Sequence, residues 1–183
     1  MIIFYQPSSI MSRFNFFIWS ILGIYNTLKS RYIKNSGLML IVDIDNTLAK
    51  TREYQFDNQN MELLDVGSLL IYENIKNIIK NRSSNGLEVI IMTARPLKSF
   101  FRTKRWLKKH NINYNYLFFV KHPSHKVSLV ENIGGNFEIY DDLTYGSPGN
   151  TKSYKDVVKQ FRSMSNVVLC HGKELERVQN HVV

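Results

Sequence analysis

The chain has 183 residues, a formal charge of +9 from 24 Lys and Arg against 15 Asp and Glu, 44% hydrophobic and 21% charged residues. That length and balance fit one domain with a buried core and exclude a disordered chain. A lone cysteine, Cys170, excludes an intramolecular disulfide framework, and no Cys/His cluster has zinc-site spacing.

The first feature is an apolar run from Phe14 to Tyr25, flanked by Arg13 and Lys29. It falls short of the roughly 20 apolar residues of a spanning helix and lacks the small-residue cleavage site of a signal peptide. The expectation is a helix packed on the domain, with an interfacial membrane contact through residues 14–25 as the other reading. Residues 1–36 are thus read as a helical extension, 37–183 as the main domain, and the location as cytoplasmic.

From Gly37 onward, short apolar runs alternate with segments of helical period. Leu38–Val42 predicts a buried parallel strand, and the polar stretch 49–67 an irregular loop. Leu70–Lys80 predicts a helix with Ile71, Ile75 and Ile78 on its inner face, closed by the turn residues 83–86. A strand over Leu87–Met92 and a helix over Leu97–His110 follow, the latter with Phe100, Phe101 and Leu107 inward. Tyr116–Val120 is a third strand, and Ser124 suits the cap of a short helix running to Asn132. Phe137–Tyr140 is a fourth strand, followed by a Gly/Pro loop over 146–149, a helix over Lys152–Met164, a strand over Val167–Leu169 and a helix over Lys173–Gln179. This alternation argues for an α/β fold whose parallel sheet is covered on both faces, with ligands at the carboxyl ends of the strands.

The chemistry-bearing residues all fall just after those predicted strands. Asp43 and Asp45 stand at i and i+2 beyond the first, so extended backbone points both carboxylates the same way. Ionised groups beside a buried strand are costly unless paired or metal-bound. One of the two is suited to attack a phosphorus atom, the other to protonate the leaving oxygen and then activate water. Asp141 and Asp142 follow the fourth strand, and with Asp43 they offer the hard oxygens that Mg2+ prefers. Thr93, with Ala94 and Arg95, closes the second strand ahead of a helix, a setting suited to phosphate oxygens. Lys126, or else Lys121, is placed to balance the charge of a nucleophile and a phosphoryl group. Lys98, Arg102, Arg105 and Lys109 form a basic stripe at helical spacing, which suits either a nucleic-acid backbone or a solvated face.

An Asp43-x-Asp45-x-Thr47 loop after an apolar strand, then Thr93, a lysine and an acid pair, resembles the haloacid dehalogenase-like (HAD) superfamily of phosphatases over Leu38 to about Leu169. The resemblance implies a three-layer, Rossmann-like fold with a central parallel sheet and a minimal cap. It implies Asp43 as nucleophile, Asp45 as acid/base and, through its carbonyl, metal ligand, Thr93 and Lys126 at the phosphate, and Asp141 and Asp142 as Mg2+ acids. Asn46 stands where many members have Gly, tolerable because Asn accepts left-handed backbone. Lys126 is preferred to Lys121 because family members place that lysine at the start of the helix. The family's dehalogenases lack the second acid and its ion pumps carry Thr there, so Asp45 favours phosphoester hydrolysis. The stretch from Thr93 to Leu107 is also similar, more weakly, to the phosphatase domains of polynucleotide kinase-phosphatases and to small nucleotidases. The expected partner is a phosphorylated substrate: a nucleotide, a nucleic-acid end or a sugar phosphate. A catalytically idle binding module and a nucleic-acid-binding protein without hydrolysis are the alternatives, and the intact acid set speaks against the first.

Overall fold

A computed structural model of the chain describes residues 10–33, 37–51, 66–143 and 151–180, with side chains from 17 and from 154 onward in the helices that begin at 10 and 151. The helices are α1 (Ile10–Tyr32), α2 (Glu73–Ser84), α3 (Phe100–Lys109), α4 (Ser124–Ile133), α5 (Thr151–Ser163) and α6 (Lys173–Asn180). The strands are β1 (Leu38–Val42), β2 (Glu88–Thr93), β3 (Tyr116–Phe119), β4 (Asn136–Tyr140) and β5 (Val167–Cys170). All four pairings are parallel, in the order β3-β2-β1-β4-β5. The sheet lies between two helical layers, as the α/β, Rossmann-like reading requires.

The three layers follow from period-two alternation in strands apolar on both sides. In β1, Leu40 and Val42 join Ile75 and Ile79 of α2, Trp106 and Leu107 of α3 and Leu175 of α6 in one core. Met39 and Ile41 face the other way, into a core with Val127 and Val130 of α4 and Val157 and Phe161 of α5. Arg82 of α2 ties its layer to the sheet by donating from Nε and Nη2 to the Glu138 carboxylate at 3.0 and 3.1 Å. Cys170 is buried at the end of β5, and burial pushes its thiol up to about 12, out of reach of thiolate chemistry.

Several local expectations need correction. The second helix starts at Glu73, and Ile71 instead forms an antiparallel bridge to Ala49. Phe101 is 78% exposed; the residues of α3 that turn inward are Thr103, Trp106 and Leu107. The period places 103, 106 and 107 on one face as readily as 100, 101 and 107, and the large indole takes the interior. Ser124 is the first helical residue rather than a cap, because Pro123, with its fixed φ, occupies the capping position without a side-chain bond. Residues 52–65 of the stretch read as an irregular loop and the Gly/Pro loop 146–149 lie outside the described residues, so the minimal cap is not among the features described. No described helix is long and apolar enough to cross a membrane.

Candidate active site

The strand order creates the site. The chain goes from β1 outward to β2 and β3, then returns to the other side of β1 as β4. The connections after β1 and β4 therefore part in opposite directions, opening a crevice at the carboxyl ends of these neighbours. Asp43 and Asp141 each stand one residue past their strand, at this switch point. The Asp43 amide donates to the Tyr140 carbonyl at 2.9 Å and the Asp141 amide to the Cys170 carbonyl at 3.2 Å, so the sheet ladder sets both backbones.

Lys126 projects from the first turn of α4 between these two acids. Its Nζ donates to Asp43 Oδ1 and to Asp141 Oδ2, both at 2.6 Å, and all three residues are at most 5% exposed. Lys121 is on the surface. Asp142 completes the group: one carboxylate oxygen from each of Asp43, Asp141 and Asp142 lies within 4.8 Å of the others. Two carboxylates thus share the Lys126 ammonium, and a third stands beside them. Burial, then the neighbouring Asp141 and Asp45 charges, push the Asp43 carboxyl up to about 7 against the opposing pull of Lys126. Burial and the charges of Asp43 and Asp141 likewise hold Asp142 well above the usual carboxylate range. Lys126 loses charge stability to burial but regains more from Asp141 and Asp43, so it is held above the usual lysine range. An oxygen-only donor set with excess negative charge, and no Cys or His in it, fits a hard divalent cation.

Asp45 has a different environment. The side chain of Arg95 grips it in a fork, Nε donating to Oδ2 at 2.9 Å and Nη2 to Oδ1 at 2.8 Å. The guanidinium is itself seated: Nη1 donates to Thr103 Oγ1 at 3.3 Å, and the group lies 5.9 Å from the centre of the buried Trp106 ring. Asp45 keeps about a fifth of its side chain exposed while Arg95 keeps 3%. The pair therefore presents a fixed carboxylate to solvent from a buried support. Thr93 ends β2, fully buried, and its hydroxyl accepts from the Arg95 amide at 3.2 Å. Ala94 is exposed between them.

The loop after β1 is braced from three directions. Asn46 takes the left-handed conformation (φ 57°), the freedom for which Asn substitutes for Gly. Thr51 Oγ1 donates to Asn46 Oδ1 at 2.7 Å, and the Asp142 amide donates to Thr47 Oγ1 at 3.0 Å. Gln179 of α6 donates from Nε2 to the carbonyls of Asn46 and Thr47 at 2.7 and 3.0 Å. Sequence reasoning missed Gln179, Thr51, Thr103 and Trp106. Gln179, Thr103 and Trp106 act on partners in other elements, and Thr51 braces Asn46 within one irregular loop, so no periodic spacing betrays them. The one available signal was Arg95, a fork-shaped donor two residues past a strand that called for a carboxylate.

No protein-family model and no curated protein matches the sequence. Among solved structures, a chain from the "Pnkp1/Rnl/Hen1 complex" superposes with a TM-score of 0.56 at 18% identity, over 76% of this chain and 47% of that one. A chain from the "Pnkp1/Rnl/Hen1 RNA repair complex" gives 0.52 at 17% identity, over 74% and 42%. The present chain therefore spans less than half the length of either, and the likeness shows a shared fold.

Proposed function

We propose that this chain is a magnesium-dependent phosphomonoester hydrolase of the HAD type, working through an aspartyl phosphate on Asp43. The observation that carries the reading is Lys126 held between Asp43 and Asp141, beside Asp142, in the crevice where the strand order reverses. Buried carboxylates gathered this closely around one lysine cost stability, and a scaffold has no need of them. In the proposed reaction an Asp43 carboxylate oxygen forms a bond to phosphorus as the ester oxygen leaves. Asp45 gives that oxygen its proton, then takes one from the water that hydrolyses the aspartyl phosphate and releases inorganic phosphate. Lys126 offsets charge on the nucleophile, while Thr93 and the Ala94 amide bind phosphoryl oxygens. Arg95, expected at the phosphate, is assigned first to orienting Asp45. Asp43, Asp141, Asp142 and the Asp45 carbonyl would hold Mg2+, which supplies charge neutralisation on the phosphoryl oxygens.

For the substrate we favour a phosphorylated nucleic-acid end over a nucleotide or sugar phosphate. Lys98, Arg102, Arg105 and Lys109 are all exposed along the Leu97–Ser99 turn and α3, on the element that seats Arg95. The RNA-repair assembly whose chains share this fold points the same way.

The deciding experiment measures phosphate release from p-nitrophenyl phosphate, phosphorylated metabolites and 3′- or 5′-phosphorylated oligonucleotides, with magnesium and with chelator. Magnesium-dependent release that disappears in Asp43→Asn is expected. No release by the wild-type chain across that panel would sink the hydrolase reading. Salt-sensitive oligonucleotide binding that persists unchanged in Asp43→Asn, without hydrolysis, would instead favour a pure nucleic-acid binder.

A further inference from the structure

We propose that α1 docks the protein on an anionic lipid surface, lying in the plane of the interface. The helix is amphipathic the wrong way round. Toward the domain it presents Asn26 and Ser30, its buried side chains among those described, with Ile33 just past its end. Asn26 Nδ2 donates to the Phe119 carbonyl at the end of β3 at 2.8 Å, and Ser30 Oγ donates to the Thr27 carbonyl at 2.8 Å. Ile18, Trp19 and Leu22 are half-buried at the flanks.

Outward stand Phe17, Ile21, Ile24, Tyr25, Leu28 and Tyr32, each between 50% and 82% exposed. At 3.6 residues per turn these six fall within a sector about 100° wide, running most of a helix about 34 Å long. Beyond them, the described residues expose just four large apolar side chains: Leu38, Leu70, Phe101 and Val168. A stripe this long, turned away from the protein's own core, marks a contact surface.

Charge selects the occupant. Residues 1–42 contain Arg13, Lys29, Arg31 and Lys34 and no acidic residue; the first acid in the chain is Asp43. A second copy would bring the same uncompensated charge to the same stripe. An anionic bilayer meets both features, taking the apolar face into the acyl boundary and the exposed Arg31 at the headgroups. Tyr25 and Tyr32 are amphipathic rings suited to that depth, while the Lys29 ammonium is turned toward the sheet, 5.3 Å from the Phe118 ring centre and 5.7 Å from those of Tyr25 and Tyr116. Tyr25 and Lys29 also line one groove with Phe100 and Lys104 of α3, which adds a further ring and cation on that side.

The inference is independent of the hydrolase reading and is tested without it. The full chain is sedimented with vesicles of phosphatidylcholine alone and of equal parts phosphatidylcholine and phosphatidylserine. Salt-sensitive capture on the mixed vesicles is expected, reduced about 100-fold or more in the double variant Ile21→Asp/Ile24→Asp. Both positions are more than half exposed, so the variant's circular dichroism and melting temperature should match the wild type. Arg31→Ser should weaken capture about fivefold and leave the apolar stripe intact. The inference is overturned if the wild-type chain stays in the supernatant with mixed vesicles, or if capture survives the double variant. It is equally overturned by a dimer in light scattering that the double variant dissociates and that does not bind vesicles, since a second copy would then occupy the stripe.

Discussion

At the scale of single residues, the chain concentrates opposing charges where water is scarce. Asp43 is raised from its ordinary 3.8 to about 7, first by burial and then by the acids around it. Between about pH 4 and 7 the folded state holds a proton that the unfolded chain has released, so the stability that proton supplies is complete below about 4 and lost as pH rises through about 7. Asp142 is shifted in the same direction and adds to the trend. On the proposed function a divalent cation would compete for the same site. The metal-free protein should therefore lose melting temperature from pH 5 to pH 8, and magnesium should restore more of it at pH 8 than at pH 5. A metal-free melting temperature that rises over this range would contradict the raised Asp43. Cys170 shows the contrast: burial, reinforced by the charges of Glu174 and Glu138, holds its thiol neutral and inert.

At the scale of elements, the site is a set of strand ends supported by helices. β1 and β4 deliver Asp43 and Asp141 through the ladder itself, and α4 delivers Lys126. Arg95 is different, because its position depends on α3 through Thr103 and Trp106. Under the proposed mechanism it would be a positioning residue for Asp45, its geometry mattering more than its charge. Arg95→Lys keeps the charge and loses the fork. Under the proposed mechanism it should lower kcat for phosphate release about 100-fold while KM moves much less, with the fold retained by circular dichroism. An equal change in both constants would assign Arg95 to substrate binding instead. These supports explain what sequence reading recovered and what it missed. The alternation of apolar strands and helical periods placed every strand end to within one residue, and so the positions of the four acids and Thr93 relative to the sheet, with Lys126 in the short helix from Ser124. The Arg95–Asp45 pair spans fifty positions and Gln179 reaches Asn46 across 133, separations at which no local pattern survives.

At the scale of the whole molecule, the +9 charge is unevenly deployed. Part lies on α1 beside an outward apolar stripe, and part on the Lys98–Lys109 stripe beside the candidate site. If a nucleic-acid end is the substrate, its apparent affinity should fall steeply with salt. Replacing Arg102 and Arg105 with Ser should reduce the slope of log affinity against log salt by about one for each phosphate that the variant no longer neutralises, and leave hydrolysis of p-nitrophenyl phosphate unchanged. An unchanged slope would make the stripe a solvated face.

The Asp43-x-Asp45 doublet, the acid pair after β4 and the strand–helix alternation needed no structure to be seen. Each is local, written in neighbouring residues and in the two periods of backbone geometry. Strand order, by contrast, follows from how helices cover a twisted sheet, and it alone put β1 beside β4 and closed Asp43, Lys126, Asp141 and Asp142 into one cluster. The tertiary structure likewise turned Asp45 to Arg95, chose Lys126 over Lys121, and set the polar side of α1 inward. Hydrophobic content along the chain predicted that α1 is a helix; which way its apolar face looks was decided by its packing on α4 and the end of β3, where Asn26 finds the Phe119 carbonyl.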